Sequence, residues 1–229
     1  MINILIFGAT GSIGNYLYNK FIDLGYNVVG TTTKKENINN NIIYINNDPN
    51  EFNNLLKINN IDSIIWAQGC NFNDDIYSFT EENFLGIINA NVLFIIKTLQ
   101  FLLINNKINN NAKLVIISSI FEEFSRNNKL SYSISKSALS GLVKSLSYDL
   151  SSKNILINNI LPGVIDNKMT RDTLCIEQIN YVANYLNFNR LINLEDVFNT
   201  VKFLCIENTG ITGQSIKVDL GFTNVKKYE

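Results

Sequence analysis

The sequence predicts an α/β fold, in which a doubly wound parallel sheet of about seven strands carries helices on both faces within a single domain. Short apolar runs alternate with helix-like segments along the chain, which is the pattern of repeated βα units. A glycine-rich turn follows the first apolar run and leads directly into a helical segment. With 229 residues the chain can form one substantial domain and is short for two, so the predicted domain spans residues 1–229.

Apolar runs mark the predicted strands, at residues 2–7, 26–32, 42–45, 61–67, 114–117, 155–160 and 215–218. Because parallel strands are joined by right-handed crossovers, the intervening helices wind to both sides of the sheet. A ligand crevice is then expected between the first and fourth strands, where the winding reverses.

The turn after the first strand reads Gly8-Ala9-Thr10-Gly11-Ser12-Ile13-Gly14 and opens a helix over residues 12–24. Glycines let the backbone approach a pyrophosphate closely, and a helix N-terminus offers free N–H groups and a positive dipole end. This turn therefore predicts dinucleotide binding. The expected contacts here are Gly8, Thr10, Gly11, Ser12, Ile13 and Gly14.

The end of the second strand predicts which dinucleotide is preferred. An acidic residue at this place usually takes the adenine ribose hydroxyls of NAD, whereas basic residues accommodate the extra phosphate of NADP. Here Thr32, Thr33, Lys34 and Lys35 precede the first acid, Glu36. We expect NADP(H) rather than NAD(H), with the hydroxyls and ammoniums of Thr32, Thr33, Lys34 and Lys35 around the phosphate, although a solvated loop with two lysines also fits these residues.

Further helices are predicted between the later strands. A short one over residues 48–57 starts with Asp48-Pro49, and a last one covers residues 194–206. Ser78 and Glu81 have capping-box spacing, so a long helical region is expected to begin there and to reach residue 104.

Tyr132 and Lys136 are four residues apart at the start of a helical segment that continues over residues 137–150. This spacing places both side chains on one helix face, together with the apolar Leu139 and Val143. A cation about 4 Å from a phenol is worth about 4 kcal/mol at an effective dielectric constant near 20, or roughly three pKa units. Such a shift would bring the pKa of Tyr132 towards neutrality, where general acids and bases work best.

The spacing alone is not specific, because Tyr16 and Lys20 repeat it. The difference lies upstream of each tyrosine. Ser119 follows a strand thirteen residues before Tyr132, whereas Asn3 stands at the equivalent place before Tyr16. Ser119, Tyr132 and Lys136 are therefore the predicted reactive group.

At these residues the chain resembles the short-chain dehydrogenase/reductase family, in its compact single-domain form similar to 3-oxoacyl-carrier-protein reductases. The resemblance is carried by KLVIISS, YSISK and LPGVI, at residues 113–119, 132–136 and 161–165, and covers residues 4–221. It implies a Rossmann-like fold and hydride transfer between a nicotinamide and a carbonyl or alcohol carbon. It also implies that Tyr132 protonates the forming alkoxide, Lys136 lowers the phenol's pKa and holds the nicotinamide ribose, and Ser119 orients the carbonyl oxygen.

The resemblance implies further site residues. Asn91 would hold a water that relays protons towards Lys136, with Asn89 as the competing candidate. The segment 166–193 would form a lid over the substrate, although a surface helix pair fits its sequence equally well. The remaining implied cofactor contacts are Gln68, Gly69, Tyr132, Lys136, Pro162, Gly163 and Ile165.

Three features depart from the compact family pattern. Ala67-Gln68-Gly69 replaces the usual Asn-Ala-Gly, and Asn167 stands where a threonine usually contacts the carboxamide. The Gly8-x-x-Gly11-x-x-Gly14 spacing resembles the extended members that act on nucleotide sugars, so an epimerase or dehydratase is one alternative. The chain ends at Glu229, without the C-terminal substrate domain expected of such enzymes. A non-catalytic nucleotide-sensing protein is a second alternative, but such proteins tend to lose the tyrosine or lysine, and here both are present.

Composition excludes several other classes of site. The sequence has no His, which removes Ser-His-Asp and Cys-His catalysis and His-ligated metals, and no metal is expected. Cys70, Cys175 and Cys205 are scattered and are expected to be reduced thiols. A net charge of -1 gives no electrostatic footprint for nucleic acid or anionic lipid, so a small-molecule partner is expected.

The sequence also suggests where the protein resides and how it assembles. No signal peptide is evident, and the apolar helix over residues 90–104 is interrupted by Lys97 and Gln100 and is too short to span a bilayer. We therefore expect a soluble, cytoplasmic protein. The family resemblance implies a homodimer or homotetramer built on the helices that contain Asn91 and Tyr132, with Phe94 and Phe101 available to such an interface.

Overall fold

The computed structural model describes residues 1–39, 41–185 and 188–225. Its strands are β1 (Asn3–Phe7), β2 (Asn27–Thr32), β3 (Ile42–Tyr44), β4 (Ile61–Trp66), β5 (Ile108–Ile117), β6 (Leu156–Pro162) and β7 (Ser215–Val218). Its α-helices are α1 (Ser12–Asp23), α2 (Glu81–Ile88), α3 (Phe94–Ile104), α4 (Leu130–Asp149), α5 (Lys168–Thr173), α6 (Ile176–Tyr185) and α7 (Leu194–Lys202). All seven predicted strands are present.

The strands form one parallel sheet in the order β3-β2-β1-β4-β5-β6-β7. The order reverses direction between β1 and β4, which confirms the predicted doubly wound, Rossmann-like fold and its switch point. Helices cover both faces of the sheet. Neighbouring residues of β1 therefore pack on opposite sides, Leu5 and Phe7 in one core cluster and Ile4 and Ile6 in the other. A continuous apolar run is what such a doubly covered strand requires.

Strand β5 begins earlier than its apolar run indicated. It starts at Ile108 and includes three consecutive asparagines before the apolar part. Pairing with β4 is irregular between Ile61 and Ser63, and the Asn109 side chain donates to Asp62 Oδ1 at 2.7 Å. Polar side chains fit here because this end of the strand is partly exposed. A search for apolar runs therefore misses the start of β5.

The short predicted helix after β3 is a 3-10 helix over Pro49–Lys57, and the Asp48 side chain caps it by accepting from the Asn50 N–H at 2.9 Å. The predicted helix start at Ser78 is wrong. Thr80 is the N-cap of α2 and accepts from the Asn83 N–H at 3.4 Å. Ser78 instead hydrogen-bonds Asp75 within the preceding turn.

Helices α2 and α3 join through one π-helical segment, Asn89–Leu93. The resulting stretch, Glu81–Ile104, has 24 residues and a mean hydropathy of 1.9, so among the described residues it is the one helix long and apolar enough to cross a membrane. The expectation of a helix too short to span was therefore wrong about its length. Ile87, Ile95 and Leu99 are buried in the protein, and core helices of soluble proteins have the same length and composition.

Phe94 and Phe101, which were expected to be available to a subunit interface, face inward. Phe94 is buried and its ring centroid lies 5.6 Å from that of Phe7 and 6.2 Å from that of Phe52. Phe101 is half-buried, with its ring centroid 5.9 Å from that of Phe52. Both rings fill the core because they lie on the sheet-facing side of α3.

The segment proposed as a lid forms helices α5 and α6, and residues 186 and 187 within it lie outside the described residues. The predicted last helix is α7 followed by a π-helical segment, Phe203–Glu207. Asn193 caps α7 in a capping box with Asp196.

Candidate active site

A cavity of about 1040 Å³ lies at the carboxyl ends of the strands, where the switch between β1 and β4 opens the sheet. Its walls come from the turn after β1, the ends of β2, β4, β5 and β6, helices α5 and α6, and Phe222 near the C-terminus. Most of the predicted site residues line it: Gly8, Thr10, Gly11, Ser12, Ile13, Thr32, Thr33, Lys34, Gln68, Gly69, Ser119, Tyr132, Pro162, Gly163 and Ile165. Gly14, Asn91 and Lys136 lie behind this lining.

The structure brings Ser119, Tyr132 and Lys136 together. Lys136 is buried, with Nζ 5.7 Å from the centroid of the Tyr132 ring, and it donates to the Ile117 carbonyl at 3.3 Å. Ser119 caps a short 3-10 turn after β5, where its hydroxyl accepts from the Phe121 N–H at 3.3 Å. Its hydroxyl is also close enough to the phenol to lower the pKa of Tyr132.

Burial, rather than Lys136, dominates the acidity of Tyr132. Removal of the phenol from water raises its pKa above 10.0, and this effect outweighs the lowering by Ser119. The expectation that the pKa of Tyr132 falls towards neutrality is therefore not met in this structure. The amine is affected in the same way, because burial lowers the pKa of Lys136 to about 8 while Glu122 and Cys70 act to raise it. Desolvation penalises the charged form of each group.

Helix α4 carries Tyr132 and Lys136, and its start is held by a distant residue. Lys129 at the N-cap position makes no capping side-chain bond. Instead Asp74, from the loop after β4, accepts from the Ser131 N–H at 3.0 Å and from the Ser131 hydroxyl. The Asp74 carbonyl accepts from the Leu130 N–H at 3.1 Å. Because the cap comes from 57 residues away, no local sequence signal reveals it.

Asn91, rather than Asn89, faces the site. Its side chain is buried and brackets Cys70, since Oδ1 accepts from the Cys70 N–H at 2.8 Å and Nδ2 donates to the Cys70 carbonyl at 3.0 Å. The same amide donates to the Ser135 hydroxyl on α4 at 3.0 Å. Neither asparagine lines the cavity, but Asn91 is bonded to the lining residue Cys70, whereas Asn89 is half-buried on a different side of the helix. The π-helical segment sets this orientation, and such segments are frequent at functional sites.

The second Tyr-x-x-x-Lys pair has a different environment, as the upstream comparison predicted. The Tyr16 hydroxyl donates to Glu195 Oε2 at 2.5 Å, and Lys20 forms a salt bridge with the same carboxylate at 2.7 Å. These contacts join α1 to α7 away from the cavity. The Tyr16 and Lys20 pair therefore connects two helices and is not part of the site.

The buried carboxylate of Glu122 holds the loop after Ser119 in place. Glu122 accepts from Asn159 Nδ2 at 3.0 Å and from the Ser215 hydroxyl, so it links this loop to β6 and β7. Burial raises the pKa of the Glu122 carboxyl, whereas these hydrogen bonds act to lower it.

The turn after β1 fits a dinucleotide. Gly8 has φ +77°, and a Cβ there would lie 2.8 Å from the Gln68 backbone nitrogen. A Cβ on Gly14 would lie 2.1 Å from the Gly8 carbonyl oxygen, so Gly14 allows α1 to pack on the turn and does not face the cavity. The Gln68 amide is buried, and neither of its polar atoms has a hydrogen-bond partner among the described residues. A ligand with polar groups would satisfy it.

Two of the four predicted phosphate contacts at the end of β2 are exposed on the cavity wall. Thr33 and Lys34 are exposed on the cavity wall, whereas Thr32 is buried and its hydroxyl lies 3.0 Å from that of Thr10. Lys35 points elsewhere, with Nζ 5.4 Å from the centroid of the Tyr44 ring. At the opposite end of the cavity Asn167 caps α5 by accepting from the Thr170 N–H at 2.9 Å, so this side-chain oxygen is already engaged.

Sequence reasoning missed one part of the lining. The missed residues beside Tyr132 are Phe121, Phe124, Arg126, Lys129 and Phe222. Lys129 stands three residues before Tyr132, a helical spacing that could have indicated proximity. No comparable pattern marks the other four.

Comparisons of the sequence with known proteins show what the chain is similar to. The sequence model of the family described as "Enoyl-(Acyl carrier protein) reductase" matches residues 53–223. The 3-oxoacyl-[acyl-carrier-protein] reductase of Rickettsia typhi is 29% identical over 238 residues, covering 96% of this chain and 96% of that protein. The corresponding reductase of Buchnera aphidicola subsp. Acyrthosiphon pisum is 25% identical over 234 residues, covering 94% and 95%.

Solved structures show the same fold. A short chain dehydrogenase family protein from Francisella tularensis subsp. tularensis superposes with a TM-score of 0.86 at 22% identity, covering 97% of this chain and 99% of that chain. The structure of ElxO with NADP bound has a TM-score of 0.85 at 22% identity, covering 98% and 99%.

Proposed function

This chain belongs to the short-chain dehydrogenase/reductase family, and on that basis we propose that it is an NADP-dependent oxidoreductase that interconverts a carbonyl and an alcohol with Tyr132 as the proton donor. The observation that carries the proposal is the meeting of Ser119, Tyr132 and Lys136 at one wall of the cavity. The 3-oxoacyl-[acyl-carrier-protein] reductases that match nearly the whole chain support the same reaction type.

The cofactor supplies the hydride in the reductive direction. Tyr132 gives its proton to the oxygen of the carbonyl being reduced, and Ser119 donates a hydrogen bond that orients this oxygen. The Tyr132 phenol is protonated near neutral pH, because its ordinary pKa is about 10 and burial raises it further, so it has a proton to donate. Lys136, protonated at pH 7 with a pKa of about 8, stabilises the phenolate that remains.

The cofactor would be held by the residues of the predicted set. The turn at Gly8, Gly11 and Ser12 would take the pyrophosphate, and Lys136 and Gln68 would take the ribose at the nicotinamide end. Asn91 fixes the Cys70 backbone against α4, so the cavity wall at the nicotinamide end is held in place. Its Oδ1 can accept a second hydrogen bond, so the proposed relay water has a place to bind. Helices α5 and α6 are proposed to cover the substrate.

NADP is preferred over NAD in this proposal. Thr33 and Lys34 lie on the cavity wall at the end of β2, where the adenine ribose of a dinucleotide is expected. A solved neighbour of the same fold, ElxO, binds NADP. No acidic side chain precedes Glu36 in this loop.

We further propose that the protein is cytoplasmic and forms a homodimer or homotetramer. One outer face of the stretch Glu81–Ile104 exposes an apolar row, which is Leu85, Leu93, Ile96 and Ile104. Exposed apolar patches of this kind mark interaction sites. A second copy of the chain would cover the row.

An NADPH oxidation assay tests the proposed reaction. The purified protein is given NADPH and, separately, aryl ketones, alkyl ketones and 3-oxoacyl thioesters, and absorbance at the nicotinamide band is followed. We expect consumption of NADPH and formation of one alcohol equivalent with at least one class. Turnover of a nucleotide sugar without net loss of the cofactor would instead support the epimerase alternative.

A further inference from the structure

Two cations line the cavity beside the proposed proton donor. Lys129 is 3% exposed, and its Nζ lies 5.4 Å from the centroid of the Tyr132 ring. Arg126 also lines the cavity. Burial lowers the pKa of Lys129 most, and the nearby charge of Arg126 lowers it further. Lys136 Nζ lies 5.7 Å from the centroid of the same Tyr132 ring, so two ammonium groups lie close to this phenol.

The charge of Lys129 is only partly compensated by the protein. Its ammonium donates to Asn71 Oδ1 at 2.7 Å and to Asn73 Oδ1 at 2.5 Å, and both acceptors are neutral. An ammonium has three N–H donors, so one remains for a ligand. Asp74 is the carboxylate whose charge acts on Lys129, but its oxygens accept hydrogen bonds from Ser131 and form no salt bridge with the Lys129 ammonium among the described residues.

No salt bridge joins Arg126 or Lys129 to a carboxylate in the part of the chain that the structure describes. The charged residues of the cavity lining are Lys34, Arg126, Lys129 and Glu177. Lys34 belongs to the end assigned to the nucleotide, and Glu177 lies on α6. The wall next to Tyr132 is therefore positive. Of these two cations only Lys129 is buried, whereas Arg126 is exposed to solvent. A buried ammonium whose direct hydrogen-bond partners are neutral gains stability when a ligand supplies a negative charge.

An aromatic wall adjoins these cations. The Phe121 ring centroid lies 5.5 Å from that of Tyr132 and 5.5 Å from that of Phe124. Phe124 in turn lies 6.5 Å from Phe222, measured between ring centroids. All three phenylalanines line the cavity, so an apolar body of a ligand can pack there.

We propose that the substrate is a carbonyl compound with an apolar body and an anionic group a few bonds from the carbonyl carbon. The anion binds between Arg126 and Lys129, and the body lies on Phe121, Phe124 and Phe222. This inference rests on the proposed function, because it takes Tyr132 as the group that faces the carbonyl. If Lys129 serves only to join the loop of Asn71 and Asn73 to the start of α4, the cavity will bind an acid and its ester with equal affinity.

Binding to an inactive variant tests the inference apart from the reaction. Tyr132→Phe protein loaded with NADPH is titrated by calorimetry with benzoylformate and with 4-oxo-4-phenylbutanoate, and with the methyl ester of each. We expect at least one acid to bind about tenfold more tightly than its ester, as charge-assisted hydrogen bonds allow. Arg126→Gln in this background should remove most of that preference and leave the ester's affinity within about twofold.

Two further variants separate recognition from folding. Lys144→Gln removes an exposed cation of α4 away from the cavity and should leave the preference unchanged. Lys129→Met should lower the acid's affinity more than the ester's, with thermal unfolding recorded to confirm that the protein is folded. Equal affinities for both acids and their esters, or equal losses for acid and ester in Arg126→Gln, would overturn the inference.

Experiments on the wild-type protein separate the proposed reaction from the proposed anionic substrate. If NADPH is consumed with an ester as readily as with its acid, the proposed reaction stands and the anionic substrate is wrong. If neither acid nor ester is reduced while the acid still binds selectively, the anionic site stands and the proposed reaction is wrong.

Discussion

Asp74 and Ser131 are joined by two hydrogen bonds, from the Ser131 N–H and from its hydroxyl, and both groups are buried. This pair fixes the start of the helix on which Tyr132 and Lys136 lie. Asp74→Ala leaves a buried N–H and a buried hydroxyl without a partner, so we expect a loss of about 2–4 kcal/mol of unfolding free energy. Urea unfolding monitored by circular dichroism measures it.

Asp75→Ala is the matched control for that substitution. Asp75 accepts hydrogen bonds from Tyr77 and Ser78 in an exposed turn. Asp75→Ala should lower the unfolding free energy by less than about 1 kcal/mol. Equal costs for the two variants would show that the Asp74 cap contributes nothing particular to the helix.

Tyr132→Phe should reduce the turnover number of carbonyl reduction about a hundredfold to ten-thousandfold, the usual contribution of a general acid. Cofactor affinity should change little, because the ring remains. Steady-state kinetics with saturating NADPH provide the measurement. Tyr16→Phe removes the hydroxyl of the equivalent pair on α1 and should retain activity; a similar loss in both variants would exclude Tyr132 as the specific donor.

The rate of reduction should fall as pH rises through about 8, where Lys136 loses its proton. The stability effect has the opposite sign. Burial lowers the folded pKa of Lys136 below 10.5, so above pH 8 the unfolded chain binds more protons and stability rises with pH. On the order of 2 kcal/mol is expected between pH 8 and 10 from this group alone.

Lys136→Met isolates that contribution. The difference in unfolding free energy between wild type and this variant should shift in favour of wild type from pH 8 to pH 10, and Lys144→Met should show no such shift. A constant difference across this range would mean that Lys136 keeps its ordinary pKa in the folded protein.

Lys34→Ala should weaken NADPH binding about tenfold and leave NADH binding nearly unchanged, since only NADPH carries the phosphate that Lys34 is proposed to meet. Thermal stabilisation by each cofactor reports the affinities, because a ligand present at 100 times its Kd adds about 2.7 kcal/mol. Lys35→Ala is the control, because Lys35 lies over the Tyr44 ring. A larger shift of wild type with NADH would refute the NADP preference.

The apolar row on Glu81–Ile104 makes a prediction about assembly. Leu93 and Ile96 are 36% and 38% exposed, so charged substitutions there are compatible with folding of the single chain. Leu93→Glu with Ile96→Glu should convert an oligomer to a monomer in sedimentation experiments. Ile22→Glu changes an exposed apolar residue on α1, outside the helices expected at the interface, and serves for comparison. A wild-type protein that sediments as a monomer contradicts the proposed assembly.

The sequence was sufficient for the fold because its strands contain short apolar runs, and in the central strands these runs are covered on both faces, as in Ile4 to Phe7. It also placed Ser119, Tyr132 and Lys136 together, since helical spacing and strand order fix their relative positions. It could not supply Asp74, whose partner lies 57 residues away, or the π-helical segment that turns Asn91 inward. The expected lowering of the Tyr132 pKa is not met because spacing does not reveal burial, and burial raises this pKa more than the Ser119 hydrogen bond lowers it.

The buried link from Glu122 to Ser215 ties the loop of Ser119 to the final strand of the sheet. During translation the residues of that strand leave the ribosome after every other part of the reactive group. The nascent chain can thus already possess its serine, tyrosine and lysine while the loop that aims the serine still lacks its last anchor. The reactive group would then become active only late in synthesis, when β7 joins the sheet.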